Sequence, residues 1–433
     1  MDLRDYRIDD CTRAIKGKNG ELRALLRVLD EPQRDASASS DAPLFGVPYV
    51  LKDTWDTAGI ITTGGSWRHR DRVPRASGAV HRVLSAAGAV MLGKSNLPDL
   101  ALSNESDNHL LGATNNPLDP TRTAGGSTGG GAAAIATGMA AFDWGGDFGG
   151  SIRTPAACCG IAGIRLSSAA WPLSSEQFPA LAPFFQPMLG MGPLARTVLG
   201  CRTVMRAARA LRADVGTSDS RADDVVVYGP DAGTMGEWPT FVSDVAARLI
   251  EAGVRFDVDR SLPPPSDVNV LFNAYLCAHM DELSSTGELP HKEALPAVLF
   301  ALAAPGRLDR RVHRNTAAML ALVQIGNLTL YRDARRFDTQ VGALRHATRA
   351  IWDARKLIIA PTATIPPPKH GRALFSWTWQ AFTKLGNLTD STAMAIPFGR
   401  FASGLPRSIQ IMGPPGSEEA VLDLAARIEA LEP

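Results

Sequence analysis

Several features are scarce in this 433-residue sequence, and each scarcity excludes a class of protein. The five cysteines, an odd number without the spacing of a disulfide framework, predict reduced thiols and a cytoplasmic protein. No stretch reaches 18 consecutive apolar residues, and the charged N-terminus lacks the apolar core of a secretory signal. Forty-five basic residues against 44 acidic ones leave a net charge of +1. We therefore expect neither a nucleic-acid partner nor a membrane partner.

Motifs for metals and cofactors are also lacking. The eight histidines are scattered, and neither HExxH nor a Cys/His ligand spacing occurs. We expect His69, His81 and His109 to lie on polar surfaces. The sequence therefore predicts an enzyme or binding protein that uses no metal and no cofactor.

The rest of the composition is that of a large globular protein. Forty-five per cent of the residues are hydrophobic, and no clean linker divides the chain. Helical patterns alternate with short apolar runs, which predicts an α/β sheet within one large domain. The predicted helices are 7–29, 77–87, 130–138, 151–160, a segment ending at 252, much of 270–355, and 417–431 with Ser417 as N-cap. The predicted strands are 43–53, 88–94, 140–145, 160–166, 225–229, 253–259, 356–363, 396–399 and 408–413, whereas 168–195 is predicted to be irregular.

Ten of the forty glycines lie between Gly125 and Gly150, which indicates a backbone with unusual conformational demands. A phosphate-binding loop is disfavoured, because neither the P-loop spacing nor GxGxxG occurs there. A nucleophile elbow, GxSxG, matches Gly125–Gly129 and would make Ser127 the nucleophile. The segment before it contains two prolines, however, and is unsuited to the central strand that an elbow requires. A third interpretation uses two serines and a lysine.

That third interpretation depends on a resemblance. Residues 125–156, GGSTGGGAAAIATGMAAFDWGGDFGGSIRTPA, resemble the defining motif of the amidase signature family of hydrolases. Upstream, GVPYVLKDTWDTAGIITTGGS is similar to the family's lysine-bearing strand, and IIAPTA and NLTDSTAMAIPFG match later blocks. The resemblance implies one domain over 1–433, with a central mixed β-sheet covered by helices on both faces. It assigns 45–167 and 356–433 to the signature core, and 168–355 to a more variable, substrate-side region.

The resemblance also implies a Ser–Ser–Lys site that cleaves a carbon–nitrogen amide bond. Ser151 would be the nucleophile that forms an acyl-enzyme, Ser127 the proton relay and Lys52 the base. The family has a cis peptide before the relay serine, here Gly126–Ser127. The implied oxyanion hole comprises the backbone amides of Phe148, Gly149, Gly150 and Ser151, and the implied supporting residues are Thr128, Asp147 and Arg153.

Elementary chemistry agrees with a lysine base at this position. A serine hydroxyl needs a base within hydrogen-bond reach, and a lysine is neutral at pH 7 only when burial lowers its pKa. Lys52 ends an apolar run and is one of only eight lysines against 37 arginines. The alternative is that Lys52 is a structural ion-pair partner of Asp53 or another carboxylate. Lys94 is the rival base, and we interpret it as structural.

Departures from the family pattern concern the substrate rather than the chemistry. Thr128 replaces a usual serine, and Phe148 replaces a smaller residue and would narrow the site. The aromatic residues that could line an acyl pocket, although core packing is favoured for each, are Phe184, Phe185, Trp377 and Trp379. The sequence thus predicts an amidase for small linear amides, and homodimers are common among such enzymes. Two alternatives stay open: an amidotransferase subunit that releases ammonia from glutamine for a partner, and a catalytically silent scaffold.

Overall fold

The computed structural model describes residues 2–168, 170–171, 183–211, 224–229, 236–258, 261–284, 312–331, 333–373, 376 and 379–431. Its α-helices are α1 (Ile8–Leu22), α2 (Ala79–Ala86), α3 (Gly129–Ala136), α4 (Arg153–Cys159), α5 (Val198–Ala210), α6 (Phe241–Glu251), α7 (Pro265–Ala278), α8 (Met280–Ser284), α9 (Arg314–Thr329), α10 (Ala334–Asp353), α11 (Thr383–Leu388) and α12 (Glu418–Glu429). Its strands are β1 (Leu25–Gln33), β2 (Pro48–Lys52), β3 (Val90–Ser95), β4 (Asn115–Asn116), β5 (Asp119–Thr123), β6 (Phe142–Asp147), β7 (Ala162–Arg165), β8 (Gly190–Ala195), β9 (Asp224–Val227), β10 (Arg255–Val258), β11 (Lys356–Pro361), β12 (Thr392–Arg400) and β13 (Pro406–Gly413).

Within the described residues, eleven strands form one mixed sheet in the order β1-β3-β2-β6-β8-β7-β12-β13-β11-β9-β10. Two groups of neighbouring strands run parallel, namely β3-β2-β6 and β11-β9-β10. The other neighbouring pairs are antiparallel. The short strands β4 and β5 pair separately. The structure therefore confirms the predicted α/β domain with a central mixed sheet.

Helices cover both faces of the sheet because successive strand residues point in opposite directions. In β2, Tyr49 and Leu51 belong to a core that includes residues of α2, α5 and α12. Val50, between them, belongs to a second core with residues of α1, α3 and α4. Each fully buried large apolar side chain contributes about 1.5–3 kcal/mol, so both cores hold their helices firmly against the sheet. The predicted covering of both faces is confirmed.

The predicted helix 7–29 is wrong in its last third. Helix α1 ends at Leu22, and Arg23 adopts a left-handed conformation with φ 52° that stops it. The chain then forms β1 at the sheet edge, where Leu25 pairs with Ser95 and Arg27 with Lys94. Leucine spacing that fits a helix is overridden here by pairing with β3.

The predicted irregular segment 168–195 contains a strand at its end. Strand β8 lies in the middle of the sheet, between β6 and β7, although it contains Pro193 and two glycines. A Cβ on Gly192 would lie 2.2 Å from the Ile164 carbonyl oxygen, so glycine allows the close approach. Most of 169–182 lies outside the described residues.

The prediction for His81 is wrong, because this residue is buried rather than on a polar surface, and its Nδ1 lies 3.0 Å from the Tyr49 hydroxyl. Ser417 is the N-cap residue of α12, as predicted, although its hydroxyl donates to the Pro414 carbonyl at 2.7 Å and not to the helix. Over the described ranges, no helix is long and apolar enough to span a membrane.

Candidate active site

The predicted site residues meet at one edge of the sheet. Lys52 is the last residue of β2 and Asp147 the last of β6, and these strands are parallel, so both ends lie at the same edge. Ser127 and Ser151 each stand two residues before a helix, α3 and α4 respectively. The N-terminal ends of helices stabilise negative charge that lies close to them.

Lys52 is buried and hydrogen-bonded to the predicted relay serine. Its Nζ donates to Ser127 Oγ at 2.7 Å and to Thr128 Oγ1 at 3.1 Å. Burial lowers the pKa of Lys52 to about 7, although Asp143 and Asp147 act in the opposite direction. Lys52 is therefore far easier to deprotonate than an exposed lysine, and its uncharged amine can accept a proton. The peptide Gly126–Ser127 is cis, as the resemblance implied.

The structure gives Asp53 a different partner from the one considered in the sequence. Asp53 forms a buried ion pair with Lys94 at 3.4 Å and accepts hydrogen bonds from Thr63. Lys94 also donates to Thr62 Oγ1 at 3.1 Å. In the described part of the chain, no carboxylate lies within ion-pair distance of Lys52. The interpretation of Lys94 as structural agrees with these contacts.

Asp143 is a site residue that sequence reasoning missed. Its buried carboxylate accepts hydrogen bonds from the Lys52 amide at 2.9 Å and from Ser95 Oγ at 2.6 Å. Burial raises the pKa of Asp143 to about 6, even though these donors favour the charged form. A Cβ at Gly131 would lie 1.8 Å from Asp143 Oδ2, so one α3 glycine makes room for this carboxylate. The sequence does contain a signal for Asp143, because an acidic residue stands inside the apolar predicted strand AAFDWG.

The two serines differ in exposure and are joined through backbone. Ser127 is buried, whereas Ser151 is partly exposed, as expected for a group that meets a ligand. The Thr128 amide donates to the Ser151 carbonyl at 3.2 Å, which ties the two segments together. Considering only residues that the structure describes, Ser151 Oγ makes no hydrogen bond, to Ser127 or to any other group.

Asp147 and Arg153, two of the implied supporting residues, form an ion pair. Their side chains are fully buried and 2.9 Å apart, and Arg153 also donates to Asn387 and Gln410. Burial by itself would raise the pKa of Asp147, but the Arg153 guanidinium holds it well below its usual range. This pair fixes the start of the loop Asp147–Ser151, which we call the nucleophile loop because it ends at the predicted nucleophile Ser151.

Most carbonyl groups of the nucleophile loop are held by donors. The Asp147 carbonyl accepts from Asn387 Nδ2 at 2.9 Å, the Gly149 carbonyl from Thr383 Oγ1 at 3.0 Å, and the Gly150 carbonyl from the Thr154 amide at 2.7 Å. In a trans peptide the N–H points opposite to the carbonyl. The amides that follow these carbonyls therefore point away from α4 and α11.

The four loop amides are not equivalent. The Gly150 amide already donates to Asp147 Oδ1 at 2.8 Å. The amides of Phe148, Gly149 and Ser151 have no acceptor within the described ranges. Three N–H groups of the loop are thus available near the partly exposed Ser151, and those of Phe148 and Ser151 follow carbonyls that are held by donors.

Aromatic rings border the nucleophile loop. Phe148 packs edge-on against Phe185 at 5.7 Å and Phe272 at 5.9 Å between ring centres. Phe184 contacts Phe185 at 5.0 Å and is partly exposed, so these two predicted pocket residues do lie near the loop. Trp379 is buried in the second core, to which Cys158 also belongs, and Trp377 lies outside the described residues.

No group of three or more histidine, cysteine, aspartate or glutamate side chains in the described segments could hold a metal ion. The five cysteines are free and buried. Burial raises the pKa of Cys158 and Cys159, so these thiols are poor nucleophiles.

Known proteins resemble this chain along most of its length. A family model described as Amidase matches residues 10–422. "Putative amidase AmiB2" of Mycobacterium tuberculosis is 29% identical and covers 100% of this chain and 89% of the relative. A glutamyl-tRNA(Gln) amidotransferase subunit of Halobacterium salinarum is 30% identical and covers 90% and 96%. The solved 6-aminohexanoate cyclic dimer hydrolase with its substrate superposes with a TM-score of 0.75 at 20% identity, covering 98% and 92%, which establishes similarity of fold alone.

Proposed function

Because this chain belongs to the amidase family, we propose that it hydrolyses the carbon–nitrogen bond of a small amide through an acyl-enzyme on Ser151. The observation that carries this proposal is the 2.7 Å hydrogen bond from buried Lys52 to Ser127. A buried lysine that lacks a carboxylate partner and contacts a serine is suited to accept a proton.

The proposed first step transfers one proton along two side chains. Neutral Lys52 accepts the Ser127 hydroxyl proton while Ser127 accepts that of Ser151, and Ser151 Oγ forms a bond to the amide carbonyl carbon. The same groups then return a proton to the leaving nitrogen as the carbon–nitrogen bond breaks. Water, activated by the same relay, cleaves the Ser151 ester and releases the acid.

The amides of the nucleophile loop would hold the oxyanion. The amides of Phe148, Gly149 and Ser151 lack acceptors within the described ranges, whereas the Gly150 amide already donates to Asp147. The proposal therefore relies mainly on the amides of Phe148, Gly149 and Ser151. Such preoriented donors typically stabilise the transition state by about 2.7–4 kcal/mol each. Asp147 and Arg153 would keep the loop in place.

We further propose small linear amides as substrates. The aromatic border formed by Phe148 and Phe184 favours amides with a flat or apolar group. A cyclic-dimer hydrolase shares the fold, so ring-shaped amides belong in the substrate panel as the competing class. The substrate-side role of 168–355, a cytoplasmic location and a homodimer stay predictions.

A second candidate is an amidotransferase subunit that releases ammonia from glutamine for a partner. It is favoured by the 30% identity to the amidotransferase subunit of Halobacterium salinarum over most of both chains. Ammonia release from glutamine by the isolated chain, faster than from aryl and aliphatic amides, would favour this candidate. A silent scaffold is disfavoured, because it would not need the Lys52 to Ser127 contact.

A fluorophosphonate probe tests the assignment of the nucleophile. Wild type and the surface control Ser243→Ala should be labelled, and Ser151→Ala should not. Labelling that survives in Ser151→Ala and disappears in Ser127→Ala would instead identify Ser127 as the nucleophile. That outcome would also conflict with the structure, in which Ser127 follows the separate strand β5 and not a strand of the central sheet.

A further inference from the structure

A third buried lysine, besides Lys52 and Lys94, contacts a carbonyl group of the nucleophile loop. Lys384, in α11, donates from Nζ to the Gly149 carbonyl, on which Thr383 Oγ1 also donates at 3.0 Å. Its ammonium lies 4.9 Å from the centre of the Phe272 ring. Across the part of the chain that the structure describes, no carboxylate is within ion-pair distance of Lys384.

The absence of a side chain at Gly149 allows this contact. A Cβ there would lie 2.9 Å from Lys384 Nζ and 3.4 Å from the Phe272 ring, so a side chain would push the ammonium away. At the other end of the same peptide, the Gly150 amide donates to Asp147 Oδ1 at 2.8 Å. The peptide between Gly149 and Gly150 is thus held at both ends, which restricts the two glycines and thereby the neighbouring peptides that carry the Gly149 and Ser151 amides.

We propose that Lys384, in its charged form, is a positioning residue that holds the Gly149–Gly150 peptide and thereby aims the amides of Gly149 and Ser151 at the oxyanion. This inference rests on the proposed amide hydrolysis. In this role Lys384 would contact the loop backbone and not the substrate or the reacting atoms. It acts through the loop, because a charged donor makes a stronger hydrogen bond to a carbonyl than a neutral one.

The charge of Lys384 depends on pH near neutrality. Burial lowers the pKa of Lys384 to about 7, Asp147 opposes this shift and Arg153 adds to it. These are the charged groups that face the ammonium from the loop and α4, while α7 contributes only the Phe272 ring. As pH rises through this pKa, Lys384 loses its charge and the loop loses its stronger donor. The rate should therefore fall to a lower level at alkaline pH. Deprotonation of Lys52 has the opposite effect, because it produces the neutral base and raises the rate.

The test compares Lys384→Met with the matched surface control Lys356→Met. Lys384→Met should lower kcat about 10–100-fold with little change in KM, because displacing preoriented donors affects the transition state. A trifluoromethyl ketone, which forms a tetrahedral adduct, should bind Lys384→Met more weakly by the same factor, whereas the product acid should bind as before. The alkaline fall of the wild-type pH profile should disappear in Lys384→Met and persist in Lys356→Met.

Three results separate the possibilities. Wild-type kcat in folded Lys384→Met, or an unchanged alkaline fall, would overturn the role of Lys384 alone. Wild type that hydrolyses no amide and takes no fluorophosphonate label would overturn the proposed function and this inference together. If Lys384→Met fails to fold, Thr383→Val removes the uncharged donor from the same carbonyl. That variant should lower kcat less than tenfold and keep the alkaline fall, and a wild-type kcat would count against the positioning role.

Discussion

Replacing Asp143 by asparagine would remove a buried negative charge near Lys52 without changing the size of the side chain. The asparagine Oδ1 can still accept from the Lys52 and Trp144 amides, as Asp143 does at 2.9 and 2.6 Å. Ser95 Oγ, which now donates at 2.6 Å, can reverse its role and accept from the new amide group. Asp143→Asn therefore changes the charge near Lys52 and keeps the local hydrogen bonds.

The expected effect is a lower pKa for Lys52. For charges about 5–8 Å apart and an effective dielectric constant of about 20, losing the attraction costs the protonated lysine about 2–3 kcal/mol. That energy corresponds to roughly two pH units. Asp143 has a raised pKa of about 6 and is only partly ionised in the acid range, so the observable shift is smaller. We expect the Lys52 pKa to fall by about one unit.

The assay is the acid limb of the profile of kcat/KM against pH. There the rate is proportional to the neutral fraction of Lys52, so it should rise about tenfold per pH unit in Asp143→Asn, and the two limbs should converge well below pH 6, where wild-type Asp143 is protonated. The limb of Asp143→Asn should lie about one unit to the acid side, making the variant several-fold faster than wild type near pH 6. A limb that stays in place or moves to higher pH would refute the assignment of Lys52 as a base tuned by Asp143.

Three further perturbations test the packing around the site. Gly131→Ala places a methyl group against Asp143 and should lower the unfolding free energy by about 1–3 kcal/mol and also lower the activity. The control Gly342→Ala lies in open space within α10 and should be neutral or stabilising by up to about 1 kcal/mol. Chemical denaturation measures both effects. Arg153→Met leaves the buried Asp147 carboxylate unpaired and should cost about 3–5 kcal/mol, with a loss of less than about 1 kcal/mol counting against that pair. Because the folded pKa of Asp147 is depressed, its stabilisation is present at neutral pH and should be lost as wild type is acidified below about pH 4, which thermal unfolding at several pH values would detect.

The grouping of Lys52 with the two serines was expected from the resemblance to the amidase signature family, because Lys52 lies 75 positions before Ser127, but the setting of each residue could be predicted locally. Ser127 and Ser151 lie within one glycine-rich segment, and Lys52 ends an apolar run that had to be a strand. Burial of that strand follows from its composition, and the lowered pKa of Lys52 follows from burial. These steps need only neighbouring residues and elementary electrostatics.

The remaining features depend on contacts between distant residues. Lys384 and Gly149 are 235 positions apart, and no local pattern connects them. Strand β8 was missed because Pro193 and its glycines disfavour a central strand, whereas pairing with both β6 and β7 stabilises it there. Strand β1 was predicted as helix because its leucine spacing fits both structures, and only its pairing with β3 decides between them.

The donors on the nucleophile loop have a consequence for folding order. Lys52, Ser127 and Ser151 belong to the first part of the chain, but Thr383 and Asn387, which hold the Gly149 and Asp147 carbonyls, are synthesised more than 230 residues later. Contacts of such sequence separation form late, since the entropy of closing a long loop must be overcome first. A fragment that ends before Thr383 would keep all three side chains and leave those two carbonyls without their donors. The loop can therefore reach its final geometry only in a chain that has been synthesised through α11.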